Sequence, residues 1–301
     1  MNQPAQIIRI GLLPLLDCAP VLLADQQGYF AQAGLAATIL REPSWSNIAD
    51  KLAYGLLDAA IMPGPLALAM MLGLRGRATP LHNAGLLSRE GNAVVIANPD
   101  QAEQCAPDWA TVHIFSNHSL LLRRVFAERG IAPTALLALP PAEMTSALSQ
   151  GRIRGFCAGA PWGAHAAAQG IGDIIANSAS LAPHHPEKFI MLRADFAAGH
   201  PSVAAALREA LSAATLRCQH PEHAAAIADF LAAPDQLNLP QPLLAAALRS
   251  GQGNPIFMTG ADLCTHPDDW HWTISQMQHA AQFSTAQAAQ ARHLILVNDK
   301  K

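Results

Sequence analysis

The sequence predicts an α/β protein of two lobes followed by a helical C-terminal region. Short apolar runs alternate with helical stretches from Ile7 to Leu72. The alternation restarts at Ala93, and from Ser202 onward Ala, Leu, Gln and His recur at helical spacing. The 301 residues are enough for two cores of ordinary size. With 51% hydrophobic and 14% charged residues the chain is not of the disordered class. A formal net charge of -3 argues against a large nucleic-acid surface.

In the first block, Ile7 to Leu13 is an apolar run ending before Pro14 and predicts a strand. Ala19 to Ala33 predicts a helix closed by Gly34, and Ala37 to Leu40 a second strand. Ser46 to Tyr54 predicts a helix with Ser44 or Ser46 as N-cap. Asp58 to Met62 predicts a third strand, and Leu66 to Leu72 a helix begun near Pro65. Such alternation signals βαβ units and a mostly parallel sheet. In the second block, Ala93 to Ala97, Thr111 to Phe115, Ala135 to Ala138, Gly155 to Ala158, Ile171 to Ala176 and Phe189 to Leu192 read as strands. Helices are expected at Ser119 to Arg129, Pro141 to Ser149 and Trp162 to Gln169. The tail beyond Ser202 reads as nearly all helix. The expected partition is 1–90 with 190–301 as one discontinuous lobe and 91–189 inserted as the other. The crossings fall near Leu87 to Asn92 and Pro186 to Arg193, and a ligand would sit where strand ends and helix N-termini face the cleft.

No apolar run reaches the ~18–20 residues of a membrane span. The stretch Ala59 to Leu74 comes closest, broken by Pro63, Gly64 and Pro65. No secretory leader is visible before Ile7, so the expectation is a cytoplasmic protein, or a periplasmic one whose leader is absent from this sequence. Cys18, Cys105, Cys157, Cys218 and Cys264 are scattered and form no CxxC pair, which predicts buried free thiols. Motifs for dinucleotide, P-loop, nucleophile-elbow and zincin chemistry are absent. His184-His185, and His113 with His118, are the only metal temptations. Adjacent histidines point to opposite faces of a regular element, and two ligands fall short of the three or four that zinc takes. No metal and no cofactor is expected.

Several segments in order carry a family likeness. They are IRIGLLPLLDCAPVLLADQQGYF near the start and REPSWSNIADKLAYGLLDAAIMPGPLALAMMLGL after it. FSNHSLLLRR (115–124), PPAEMTSALSQG (140–151), GFCAGAPW (155–162), GIG (170–172), HPEK (185–188) and WTISQM (272–277) follow. The chain resembles the nitrate- and bicarbonate-binding solute receptors of ABC transporters and their cytoplasmic nitrate-sensor relatives. The resemblance implies a two-lobed periplasmic-binding-protein-like fold (type II), with a hinge and a ligand cleft, and binding without chemical change. Trp45 matches a site tryptophan and His118 a site histidine. Lys188 matches the cationic ligand of the nitrate branch, and Asn92 falls where the family has an amide. Where the family reads GEPWN, this chain has Gly159-Ala160-Pro161-Trp162-Gly163, without the acid and the amide.

A small planar anion needs fixed donors and positive charge in a mostly dry pocket. Lys188 supplies charge, while His118, Asn92 and the Trp45 indole supply N–H groups. A helix starting at Ser116-Asn117-His118 aims backbone N–H groups at the same place. Against this, tryptophan is more often core, lysine is usually solvated, and Asn117 can simply cap a helix. Trp162 reads as packing beneath the cleft, and Asp17 and Glu143 as capping or surface carboxylates. The leading expectation is a nitrate or nitrite sensor whose partner, by the resemblance, is an RNA-binding antiterminator. The alternative is the binding component of an ABC transporter, handing nitrate, bicarbonate or a small organic ligand to a permease. An enzyme on the same fold, of the pyrimidine-biosynthesis type with His118 or His184 reactive, is the third reading.

Overall fold

The structure is a computed structural model that describes residues 5–98, 108–132, 135–249, 251 and 253–298. Cys105 lies outside them. The strands are β1 (Gln6–Leu12), β2 (Leu35–Arg41), β3 (Ala59–Pro63), β4 (Leu81–Glu90), β5 (Asn92–Ala97), β6 (Trp109–Thr111), β7 (Leu136–Ala138), β8 (Gly155–Gly159), β9 (Gly172–Asn177), β10 (Pro186–Arg193) and β11 (Pro255–Phe257). They form two sheets, in the orders β11-β4-β10-β3-β1-β2 and β7-β6-β8-β5-β9.

Both sheets are mixed, which corrects the expectation of a mostly parallel sheet. β1 pairs in parallel with β2 and β3, as βαβ units require, but β10 runs antiparallel to both β3 and β4. In the second sheet β5 is antiparallel to β8 and β9, while β6 is parallel to β7 and β8. The antiparallel strands are those that carry the chain from one sheet to the other and back. A returning strand meets its neighbours head to tail, whatever the local βαβ pattern. β4 was hidden in the sequence because its ten residues, LHNAGLLSRE, mix polar side chains and Gly85 without clean alternation. The stretch read as one helix from Ala19 to Ala33 is two, Ala19–Gln26 and Tyr29–Gln32, separated at Gly28, whose φ of 72° is left-handed. The tail is helical apart from β11, which pairs with β4.

The first crossing is Glu90-Gly91, between β4 and β5. Both residues have positive φ (58° and 85°), and a Cβ on Gly91 would lie 3.0 Å from Pro255 backbone atoms, so only glycine fits. The second crossing runs from the short helix Ser178–Leu181 into β10. The crossings are tied together. The Glu90 carboxylate accepts the His184 backbone N–H (2.6 Å), and the Glu90 N–H donates to the His185 carbonyl (3.1 Å). We propose the two-lobe partition along these sheets, with the second boundary before Pro186, because β10 pairs within the first sheet from that residue on.

The first sheet carries apolar cores on both faces, one under the helices Ala19–Gln26 and Val203–Gln219, the other under Trp45–Ala53, Gly64–Met71 and Pro267–His279. Phe189 stacks on Trp270 in the second of these (centroids 4.1 Å apart). The smaller sheet has its own clusters around Phe156 and Trp109. Trp162 packs against clusters of both sheets and so sits under the junction.

Candidate functional site

Side chains from separate segments meet at the junction because each segment ends there. β1 ends at Leu12, and the turn Leu16–Cys18 that follows carries Asp17. β2 ends at Arg41 and leads into the helix Trp45–Ala53, whose N-cap Ser44 accepts the Asn47 N–H (3.1 Å) and so fixes Trp45 in the first turn. The helix Asn117–Arg129 starts after β6 with Ser116 as cap, accepting from Ser119 N (3.2 Å), so Asn117 and His118 occupy its first turn. Asn92 opens β5 just past the first crossing, and Glu187 and Lys188 open β10 just past the second. Asp17, Trp45, Asn117 and His118 thus lie past strand C-terminal ends or at helix N-termini, where α/β folds place ligands, and the antiparallel strands β5 and β10 start beside the ends of β8 and β3.

At the centre Lys188 is 1% exposed. Its Nζ donates to Glu187 Oε1 (2.6 Å), lies 2.6 Å from Asp17 Oδ2, and sits 5.5 Å above the Trp45 ring. Glu187 Oε2 accepts from Asn92 Nδ2 (2.7 Å) and Asn117 Nδ2 (2.8 Å), with His185 Nε2 at 3.2 Å and His118 Nε2 4.0 Å from Oε1. His185 donates Nδ1–H to the Ala182 carbonyl (3.0 Å), and its Nε2 lies between Asn92 Nδ2 (3.3 Å) and the Glu187 carboxylate. Burial alone would lift the Glu187 carboxyl, but the Lys188 ammonium and the His185 contact hold it well below the usual range. Burial opposes the Lys188 charge, yet the two carboxylates raise its pKa above the ordinary lysine value. Asp17 is shifted upward, since burial outweighs the pull of Lys188. Burial lowers His118 to about 4, so its ring is neutral at physiological pH.

The cluster is incompletely satisfied. Asp17 Oδ1, Trp45 Nε1, Asn92 Oδ1, Asn117 Oδ1 and both His118 ring nitrogens are buried without a hydrogen-bond partner. The same holds for Ser88 Oγ, which faces Lys188 in the β4–β10 register. Buried polar atoms are nearly always paired, because each orphan costs about 1–3 kcal/mol. Several orphans in one cluster mark a place built for a ligand with polar atoms of its own. Gly159 opens space there. A Cβ on it would have Asn92 Oδ1 at 3.7 Å, the Gly91 carbonyl at 3.9 Å and Asp17 Oδ2 at 4.0 Å, and nothing nearer.

The structure brings Trp45, Asn92, His118 and Lys188 into one cluster. It corrects the reading of Asp17, which is a buried partner of Lys188 and not a capping or surface carboxylate. It also shows Lys188 engaged by two acids, not offered as a free cation. Glu187, His185, Asn117 and Ser88 were missed as cluster members. HPEK contains two of them, but adjacency in a motif gave no sign that the acid and the imidazole turn inward with the lysine. His184 is exposed, and His113 accepts the Phe115 N–H (3.0 Å) away from the cluster. Among the described residues no group of three or more His, Cys, Asp or Glu has metal-holding geometry. Cys18, Cys157 and Cys218 are buried free thiols, whereas Cys264 is exposed, against the expectation for it.

Two mixed α/β sheets joined by paired crossings, with a polar cluster at the junction, define a protein of the periplasmic-binding-protein fold. The crystal structure of the nitrate-binding protein NrtA from Synechocystis PCC 6803 superposes with a TM-score of 0.84 at 20% identity, over 99% of this chain and 90% of that one. The chain belongs to the NMT1-like family, whose profile matches residues 2–232. It is 34% identical over 250 residues to the nitrate import ATP-binding protein NrtC of Synechocystis sp., spanning 75% of this chain but 37% of that protein. It is 27% identical over 277 residues to the bicarbonate-binding protein CmpA of Synechococcus elongatus, covering 81% of this chain and 62% of that one.

Proposed function

We propose that the chain binds a small planar oxyanion, of the nitrate or bicarbonate kind, at the polar cluster between its sheets, as the solute-binding part of an ABC-type transport system. The observation that carries this reading is the set of orphan polar atoms around Trp45, Asn92, His118 and Lys188. The Trp45 and His118 N–H groups and the first turn of the helix Asn117–Arg129 can replace water around an anion. The names of the relatives support the ligand class. They are also transport names, so the transport reading replaces the expected sensor, for which an antiterminator partner finds no support. A location outside the inner membrane goes with transport. Among the described residues no helix is long and apolar enough to cross a membrane. The binding-protein names of the chain's relatives favour a binder over an enzyme.

Isothermal titration with sodium nitrate, sodium nitrite and sodium bicarbonate tests the reading. Saturable one-site binding of at least one of them, weakened in Trp45→Phe and His118→Gln, is expected. No binding of any of the three would refute it.

A further inference from the structure

This inference rests on the anion reading and concerns what enters the pocket with the anion. An oxyanion such as nitrate accepts hydrogen bonds at every oxygen and donates none. Three orphan atoms of the cluster can only accept: Asp17 Oδ1, Asn92 Oδ1 and Asn117 Oδ1. The two amides cannot be turned to help, because each Nδ2 already donates to Glu187 Oε2 and Asn117 Nδ2 also reaches the Pro186 carbonyl (2.8 Å).

The charges tell the same story. Two buried carboxylates, Asp17 and Glu187, share the single ammonium of Lys188. His118 is neutral, so Lys188 faces the two carboxylates without help from that ring. The N-terminus of the helix Asn117–Arg129 adds about half a positive charge. An entering anion adds a third negative charge to this dry site, which is costly unless one is neutralised.

The groups that face this pocket differ in readiness to take a proton. Glu187 is held by Lys188 and two amides. The His185 ring has partners on both nitrogens. The Cys18 and Cys157 thiols are kept protonated by burial. Asp17 has Oδ2 on Lys188 and Oδ1 without a hydrogen-bond partner, and burial shifts its carboxyl upward from the ordinary range. His118 sits at a helix N-terminus, where a positive imidazole is disfavoured.

We propose that this pocket takes up its oxyanion together with one proton from solvent, and that Asp17 is where the proton resides. The proton removes one negative charge and turns Oδ1 from an orphan acceptor into a donor to the anion, while Oδ2 keeps Lys188. Binding is then linked to pH. Because a proton is taken up, affinity falls about tenfold per pH unit as pH rises above the value at which empty Asp17 is ionised. Asp17→Asn imitates the protonated carboxyl, with an oxygen for Lys188 and an NH₂ where Oδ1 was.

The test is isothermal titration with sodium nitrate, and in parallel sodium bicarbonate, from about pH 6 to about pH 8 in two buffers of different ionisation heat. The expected result is uptake of close to one proton per nitrate bound, with the matching pH slope; bicarbonate, which carries its own O–H, reports only whether an anion binds. In Asp17→Asn, proton uptake should vanish and affinity at about pH 8 should equal or exceed that of the unaltered protein. Nitrate binding without proton uptake, or undiminished uptake in Asp17→Asn, overturns the proposal and leaves the anion reading standing. Failure of both anions to bind refutes the anion reading itself. If thermal melting shows Asp17→Asn unfolded, the proton count of the unaltered protein decides alone.

Discussion

Replacing Lys188 by methionine probes the centre of the cluster, because it keeps the buried stem and deletes only the charge. In the structure Nζ lies 2.6 Å from Asp17 Oδ2 and 2.6 Å from Glu187 Oε1, with all three side chains nearly inaccessible. Removing one member of a buried ionic group leaves its partners uncompensated and costs about 3–5 kcal/mol. At about 2–4 °C per kcal/mol for chains approaching this size, melting should fall by roughly 10 °C. The pH dependence gives a sharper check. In the unaltered protein Glu187 has a folded-state pKa below its unfolded value. Its contribution is present above the ordinary glutamate range and is lost as pH falls through the depressed value. In Lys188→Met the unpaired carboxyls rise above their unfolded values, so stability is lost as pH rises through the raised values. The deficit measured by differential scanning calorimetry should therefore be smaller near pH ~5 than near pH ~8. Adding Asp17→Asn should recover part of it, since one buried charge goes. A loss under about 1 kcal/mol, the same at both pH values, would show that Lys188 is not clamped between two buried acids.

Further outcomes follow from the same geometry. Trp45→Phe removes an N–H that has no protein partner, so denaturant unfolding should show only the packing loss of about 1–2 kcal/mol. Titration calorimetry should show a larger loss, about 1.5–3 kcal/mol of anion affinity, if the indole is a ligand donor. Gly155→Ala would place a Cβ 2.5 Å from the Val95 carbonyl oxygen, which cannot move aside, and should cost about 1–3 kcal/mol in a thermal melt. Gly159→Ala meets nothing nearer than 3.7 Å and should keep stability within about 0.5 kcal/mol while weakening the anion by crowding Asn92 and Asp17. Asp58, pressed upward by burial but held below its ordinary pKa by bonds from the Arg9 side chain and N–H, ties β1 to the start of β3. Its share of stability is present above the ordinary aspartate range and lost as pH falls through the depressed value. Asp58→Asn should flatten that acid limb of the melting profile and cost about 1–3 kcal/mol at neutral pH.

The sequence by itself determined the α/β class, the restart near Ala93, the helical tail and the resemblance that picked out Trp45, Asn92, His118 and Lys188. Those signals are local: hydrophobic period, turn residues and motifs survive in one dimension. It did not reveal β4, whose polar residues serve neighbours across a mixed sheet, nor the antiparallel return of β10. Only the tertiary structure decided that Asp17 and Glu187 face Lys188 and cancel the charge that made Lys188 look like the anion's partner. A carboxylate's role depends on whether it is buried and on what lies within about 3 Å of it. Asp17 and Lys188 are 171 positions apart in the chain, and no local pattern records that they touch.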